Sequence, residues 1–177
     1  MKNRKTQINS QMSAVIIIIA LIAISVSLLS IVRLPHLVLR NDHSGAVVFI
    51  ERLDEGSEFA ISFIHSVNIS PVKEIFMIRD GQIVLTALEF YTFGAGMPTE
   101  LEQEQTLTQL PDGGMRIDGF DREFSNLSYI IGYNTNHTLS LESHEIPLET
   151  LDRAGQPLLF SFERLTILQR LLILKEL

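Results

Sequence analysis

The chain has 177 residues, no cysteine and a formal net charge of −7, which excludes a disulfide scaffold, a thiolate metal centre and a cysteine nucleophile. Residues 1–33 hold Lys2, Arg4, Lys5 and Arg33 and no acid, so the remainder carries ten basic and twenty-one acidic side chains, a formal −11. A remainder this acidic repels phosphate backbones, so no nucleic-acid partner is expected.

From Thr6 to Val32 no side chain is charged, and Met12 to Val32 is almost wholly apolar. Twenty-one helical residues rise about 30 Å, the thickness of a hydrocarbon core. The segment 12–32 is therefore expected to be a transmembrane helix behind a basic cytoplasmic tail, 1–11. The basic residues before it place the N-terminus inside and everything after it outside the cytoplasm, as a single-pass signal anchor in the cell membrane. The same residues also read as a signal peptide cleaved near Ser25 or Ser27, or as a buried core helix.

Residues 33–45 read as a linker, with Pro35 and the turn composition Asn41-Asp42-His43-Ser44-Gly45. The β domain is expected over 46–164, outside the cytoplasm, and Val47–Glu51 is its first strand. Phe59, Ile61 and Phe63 alternate on a strand ending at His65; Glu74, Phe76 and Ile78 alternate on a second, and Ile83, Leu85, Ala87 and Glu89 on a third. Asp80-Gly81 is a two-residue hairpin turn that pairs Arg79 with Gln82 and Ile78 with Ile83. Continued without interruption, that register puts Phe76 opposite Leu85 and Glu74 opposite Ala87. Closing the preceding hairpin around Asn68-Ile69-Ser70-Pro71 brings His65 near Glu74.

Phe93-Gly94-Ala95-Gly96-Met97-Pro98 is a loop, followed by an acidic stretch with Glu100, Glu102 and Glu104. Further strands are expected at Met115–Ile117, Ser128–Tyr133, His137–Glu142 and Leu158–Glu163. The fold class that follows is mainly β, a small antiparallel barrel or sandwich preceded by one N-terminal transmembrane helix. The tail 165–177 carries Leu168, Leu171, Leu172 and Lys175 at helical spacing.

In this register His65, Glu74 and Glu89 share a face with large apolar side chains near one end of the sheet, and His137 shares its face with Leu139 and Leu141. A carboxylate on a core face must be paired, hydrogen-bonded or opened to a cleft. Three readings follow: a rim where these side chains meet water, a structural His65–Glu74 ion pair, or a ligand pocket beside the loop of Gly94 and Gly96. No HExxH spacing and no G-x-S-x-G elbow occurs, so neither a metal nor a serine nucleophile is expected. Gly94 and Gly96 lack the rest of a dinucleotide fingerprint and mark a turn where a Cβ would clash. No cofactor is expected.

Phe63-Ile64-His65-Ser66-Val67, Ser70-Pro71-Val72 and Glu74-Ile75-Phe76, followed in order by Phe93-Gly94-Ala95-Gly96-Met97-Pro98, His137-Thr138-Leu139 and Glu145-Ile146-Pro147-Leu148, carry a resemblance. They resemble an uncharacterised bacterial domain family, domain of unknown function 1850, associated with tripartite TRAP transporters of the TAXI type. The resemblance spans Val47 to Phe162. It implies a membrane location and a transporter context, with the TRAP permease and a TAXI-type solute-binding protein as partners beside the bilayer.

The function expected on these grounds is a membrane-anchored, non-enzymatic accessory protein of a TRAP-type solute transporter, acting by docking or by weak solute binding at His65, Glu74, Glu89, Gly94, Gly96 and His137. The alternatives are an anchored enzyme, with His65 as general base oriented by Glu74, and a structural envelope protein.

Overall fold

A computed structural model describes residues 2–94, 96, 98 and 100–177, with the side chains of 2–14 outside the description. Two compact units divide the chain, one of Met1–Leu34 with Arg164–Glu176, the other of Pro35–Glu163 with Leu177.

The first unit holds helix α1, Lys2–Ile31, and helix α2, Ile167–Glu176. A reciprocal cap starts α2: the Gln169 N–H donates to Thr166 Oγ1 at 3.1 Å, and the Thr166 N–H donates to Gln169 Oε1 at 2.8 Å. Such a box satisfies two of the N–H groups that the first turn leaves without partners.

Among the described residues no helix is long and apolar enough to cross a membrane. In α1 the described side chains run from Val15 to Ile31. Met12, Ser13 and Ala14, the start of the expected span, lie outside the described side chains. The transmembrane segment at 12–32 is therefore corrected. With it go the signal anchor, the single-pass cell-membrane topology, the bilayer as partner and the membrane-anchored accessory role.

The second unit is β. Its strands are β1 Arg33–Asn41, β2 Val47–Arg52, β3 Glu58–His65, β4 Ser70–Arg79, β5 Gln82–Phe90, β6 Thr106–Gln109, β7 Met115–Phe124, β8 Leu127–Ile130, β9 Thr138–Ser140, β10 Glu145–Pro147 and β11 Pro157–Thr166, with a 3-10 turn at Leu148–Thr150. The ends of β1 and β11 extend into the first unit. A four-stranded sheet runs β2-β1-β11-β8 and a seven-stranded sheet runs β10-β9-β3-β4-β5-β7-β6. All six pairings within the larger sheet are antiparallel.

Both sheets are open, which corrects the expected fold class: among the described residues there is no closed barrel, and no membrane helix precedes the strands. The edges of the larger sheet explain its openness. β10 has three residues and ends in Pro147, and β6 has four, too little ladder for the two edges to zip together. Between the sheets lies one core, built from Phe59, Ile61, Phe76, Ile78, Ile83 and Leu139 on the larger sheet and Leu37, Leu39, Leu127, Leu158 and Phe160 on the smaller. β1 lies within the stretch read as a linker, and Leu37, Val38 and Leu39 on it are fully buried.

The β4–β5 hairpin turns at Asp80 (φ 53°) and Gly81 (φ 74°), the pair of left-handed residues that a type I′ turn requires. Arg79–Gln82, Ile78–Ile83 and Phe76–Leu85 pair as the turn dictates. Beyond them Thr86 is an extra residue. Ile75 faces Ala87 and Glu74 faces Leu88, while the Thr86 hydroxyl donates to the Ile75 carbonyl at 3.2 Å. A one-residue bulge exchanges the faces of everything after it. Leu88 and Phe90 thereby point into the core, and Glu89 points out.

Candidate functional site

The six residues singled out from the sequence fall into three places. Glu89 stands on the outer face of the larger sheet, opposite Lys73 and Arg116. It pairs with Arg116 at 2.7 Å, and Arg116 also holds Asp118 at 2.8 Å. Its expected place on the apolar face is corrected by the Thr86 bulge.

His65, Gly94 and Gly96 meet at the β3–β4 turn. His65 pairs with Ser70, and Glu74 pairs with Ile61, so His65 and Glu74 are four positions apart along the hairpin, about 13 Å at strand rise. The expected His65–Glu74 proximity is corrected. His65 Nδ1 accepts from the N–H groups of Val67 (3.3 Å) and Asn68 (3.4 Å). Since those groups only donate, a neutral ring keeps its proton on Nε2. A Cβ on Gly94 would lie 2.7 Å from Asn68 Oδ1, and one on Gly96 3.8 Å from His65 Nε2. The glycine loop therefore packs directly on this turn, and only glycine fits at 94. Ala95 and Met97 lie outside the described residues.

Glu74 and His137 meet at the rim between the sheets. On β8, Leu127 is buried in the core and Tyr129, two residues on, packs against it, as strand alternation requires. The Tyr129 hydroxyl reaches across and donates to Glu74 Oε2. His137, one residue before β9, stacks on Phe63 with centroids 5.1 Å apart and planes at 20°. The Tyr129 ring stands edge-on to His137 at 6.3 Å and to Phe160 at 5.7 Å. The loop holding His137 is tied down: Ile64 N–H donates to the Thr135 carbonyl at 2.7 Å, and Leu148 N–H to the His137 carbonyl at 2.8 Å. His137 Nδ1 accepts from Gly132 N–H at 3.3 Å and lies 2.7 Å from the Thr135 hydroxyl.

Burial governs the protonation of this group. It pushes the Glu74 carboxyl above its ordinary value of 4.5, and the Tyr129 hydrogen bond and the Arg122 charge draw it back only in part. Burial, then the charge of Glu74, raises the Tyr129 phenol, which stays neutral and donates. Burial lowers His137, which favours the uncharged ring. Glu74 has no ion-pair partner among the described residues. Arg122, the cation acting on it, lies over the Phe124 ring at 5.0 Å.

Tyr129 is the rim residue that sequence reasoning missed. The apolar alternation Leu127, Tyr129, Ile131 was the available signal that it faces inward, but nothing local names its partner. Among the described residues no three metal-ligating side chains converge.

No curated protein and no solved structure matches this chain. The family model described as Domain of unknown function (DUF1850) matches residues 59–148, half of the chain, from the first apolar residue of β3 to the 3-10 turn. Phe63, His65, Glu74, Glu89, Gly94, Gly96, Tyr129 and His137 all fall inside that match, and the chain belongs to this family.

Proposed function

We propose that this domain is a non-catalytic module that binds a small ligand at the rim between the sheets, where Phe63, Glu74, Tyr129 and His137 converge. One observation carries the reading: the half-buried Glu74 carboxylate has Tyr129 as its single hydrogen-bond partner among the described residues and sits beside aromatic rings. An ionised carboxylate offers about four acceptor sites, and a purely structural acid in such surroundings is normally matched by a cation. A site where a few polar groups converge among aromatic and apolar side chains is the usual make-up of a small-ligand pocket.

The catalytic alternative is weakened by the same geometry. In that reading Glu74 orients His65 as general base, and Glu74 is four positions away along the hairpin.

The test is a thermal-shift screen of the full chain against a panel of small anions, cations and neutral polar compounds. The reading expects at least one compound to raise the melting temperature in a saturable way, with the effect lost in Tyr129→Phe and Phe63→Ala. Compounds that stabilise these variants as well as the parent would place binding elsewhere and refute it.

A further inference from the structure

We infer that the rim at Glu74 takes an organic ammonium group, with the ammonium on the Glu74 carboxylate and its hydrocarbon part against Phe63 and Tyr129. This rests on the rim being a binding site, as proposed above.

Three observations narrow the class. First, the rim has a carboxylate and no adjacent cation. Among the described residues Glu74 makes no salt bridge, and its one hydrogen bond comes from a neutral phenol. Arg122 acts on it only through space, with its guanidinium set over Phe124. An ammonium brings up to three N–H donors and one positive charge, and so meets both vacancies. An anionic ligand would be repelled by Glu74.

Second, the walls suit a cation with a hydrocarbon body. Phe63, Tyr129 and His137 form one aromatic group, with centroid separations of 6.5, 5.1 and 6.3 Å. Aromatic faces attract ammonium groups through the ring quadrupole. His137 adds no opposing charge, because Nδ1 accepts the Gly132 N–H and burial favours the neutral ring. A bare metal ion fits poorly, since hard cations take several oxygen ligands and no cluster of three ligating side chains occurs among the described residues. Third, the chain after residue 33 carries a formal −11, a field that concentrates cations at its surface.

The experiment is a set of titrations of the full chain at pH 7 with n-butylammonium chloride, sodium butyrate and n-butanol, read by thermal shift and by NMR. The NMR signals followed are those of the Tyr129 and His137 rings. Butylammonium is expected to raise the melting temperature and shift both rings, with butyrate and butanol at least tenfold weaker. Glu74→Gln, isosteric and still an acceptor for Tyr129, is expected to weaken butylammonium at least tenfold. Should that variant fail to fold, a titration of the parent decides instead: butylammonium affinity must fall as pH drops and the carboxyl protonates. Equal binding of butylammonium to Glu74→Gln, or no dependence on pH, overturns the ammonium assignment. If butyrate or butanol binds instead and Phe63→Ala abolishes it, the rim remains a site and only the ligand class is wrong. If no probe responds to Phe63→Ala or Tyr129→Phe, both proposals fall.

Discussion

Removing one hydroxyl tests the bond between the sheets. In Tyr129→Phe the ring keeps its contacts with Phe63, His137 and Phe160, so packing changes little and the loss falls on the Glu74 acceptor. A hydrogen bond to a charged group contributes about 1.5–3 kcal/mol when buried. Glu74 is only half-buried and water can replace part of the loss, so the expected cost at pH 7 is about 1–2 kcal/mol. For a chain of this size that is a fall in melting temperature of roughly 2–8 °C. The stronger measurement is a double-mutant cycle with Glu74→Ala, which removes the acceptor, by urea unfolding of the full chain. A direct bond requires a coupling energy of about 1 kcal/mol at pH 7. That coupling should shrink toward half as the carboxyl protonates, because neutral hydrogen bonds are about half as strong as charged ones. Tyr129→Phe and Glu74→Ala effects that add to within about 0.5 kcal/mol at pH 7, as independent sites do, would refute the bond and with it the description of the rim.

Three further outcomes are expected. The native Glu74 carboxyl is raised above 4.5, so its contribution is fully present below the ordinary carboxyl value and is lost as pH climbs through the native one; the stability of Glu74→Gln relative to the parent should therefore rise over that interval, and parallel pH profiles would contradict it. Gly119→Ala puts a Cβ 2.1 Å from the Glu104 carbonyl oxygen at φ +91°, and should destabilise by about 1–3 kcal/mol in chemical denaturation; an unchanged midpoint would show that loop 102–105 is not held against β7. Gly81→Val, at φ 74°, should cost about 1 kcal/mol or more, and a melting temperature equal to the parent's would contradict the type I′ turn.

What the sequence made legible was local. Asp80-Gly81 dictated its turn, and the pairs nearest to it followed because a two-residue loop leaves one register. Gly94 was read as a position where a Cβ would clash, and it packs on Asn68. β1 was hidden because Pro35 and the neighbouring turn residues gave Arg33–Asn41 the composition of a linker, while its burial comes wholly from tertiary packing. The Tyr129–Glu74 bond joins residues 55 apart in the chain and on different sheets, and no periodicity encodes such a pair. The apolar run ahead of Val32 invited a length argument, but among the described residues no helix is long and apolar enough to cross a membrane.

The Thr86 bulge shows how one residue sorts the charges of this domain. Ile83 and Leu85 are inward at odd positions, and Leu88 and Phe90 are inward at even ones, so the apolar parity of β5 changes between Leu85 and Leu88. That change is written in the sequence, and strict alternation through Ala87 and Glu89 passed over it because Ala87 is small enough for either face. Burial decides the matter: Leu88 is 6% exposed and Phe90 0%, and turning both outward would forfeit about 1.5–3 kcal/mol for each side chain. The register therefore shifts, and Glu89 moves to the outer face, where Arg116 meets it. Glu74 stays inside, four residues before the hairpin closes through Ile78, facing Tyr129. The two carboxylates that looked like neighbours are divided by the sheet itself. Glu89 has its cation. Glu74 has a phenol, and that difference is what the proposed binding at the rim rests on.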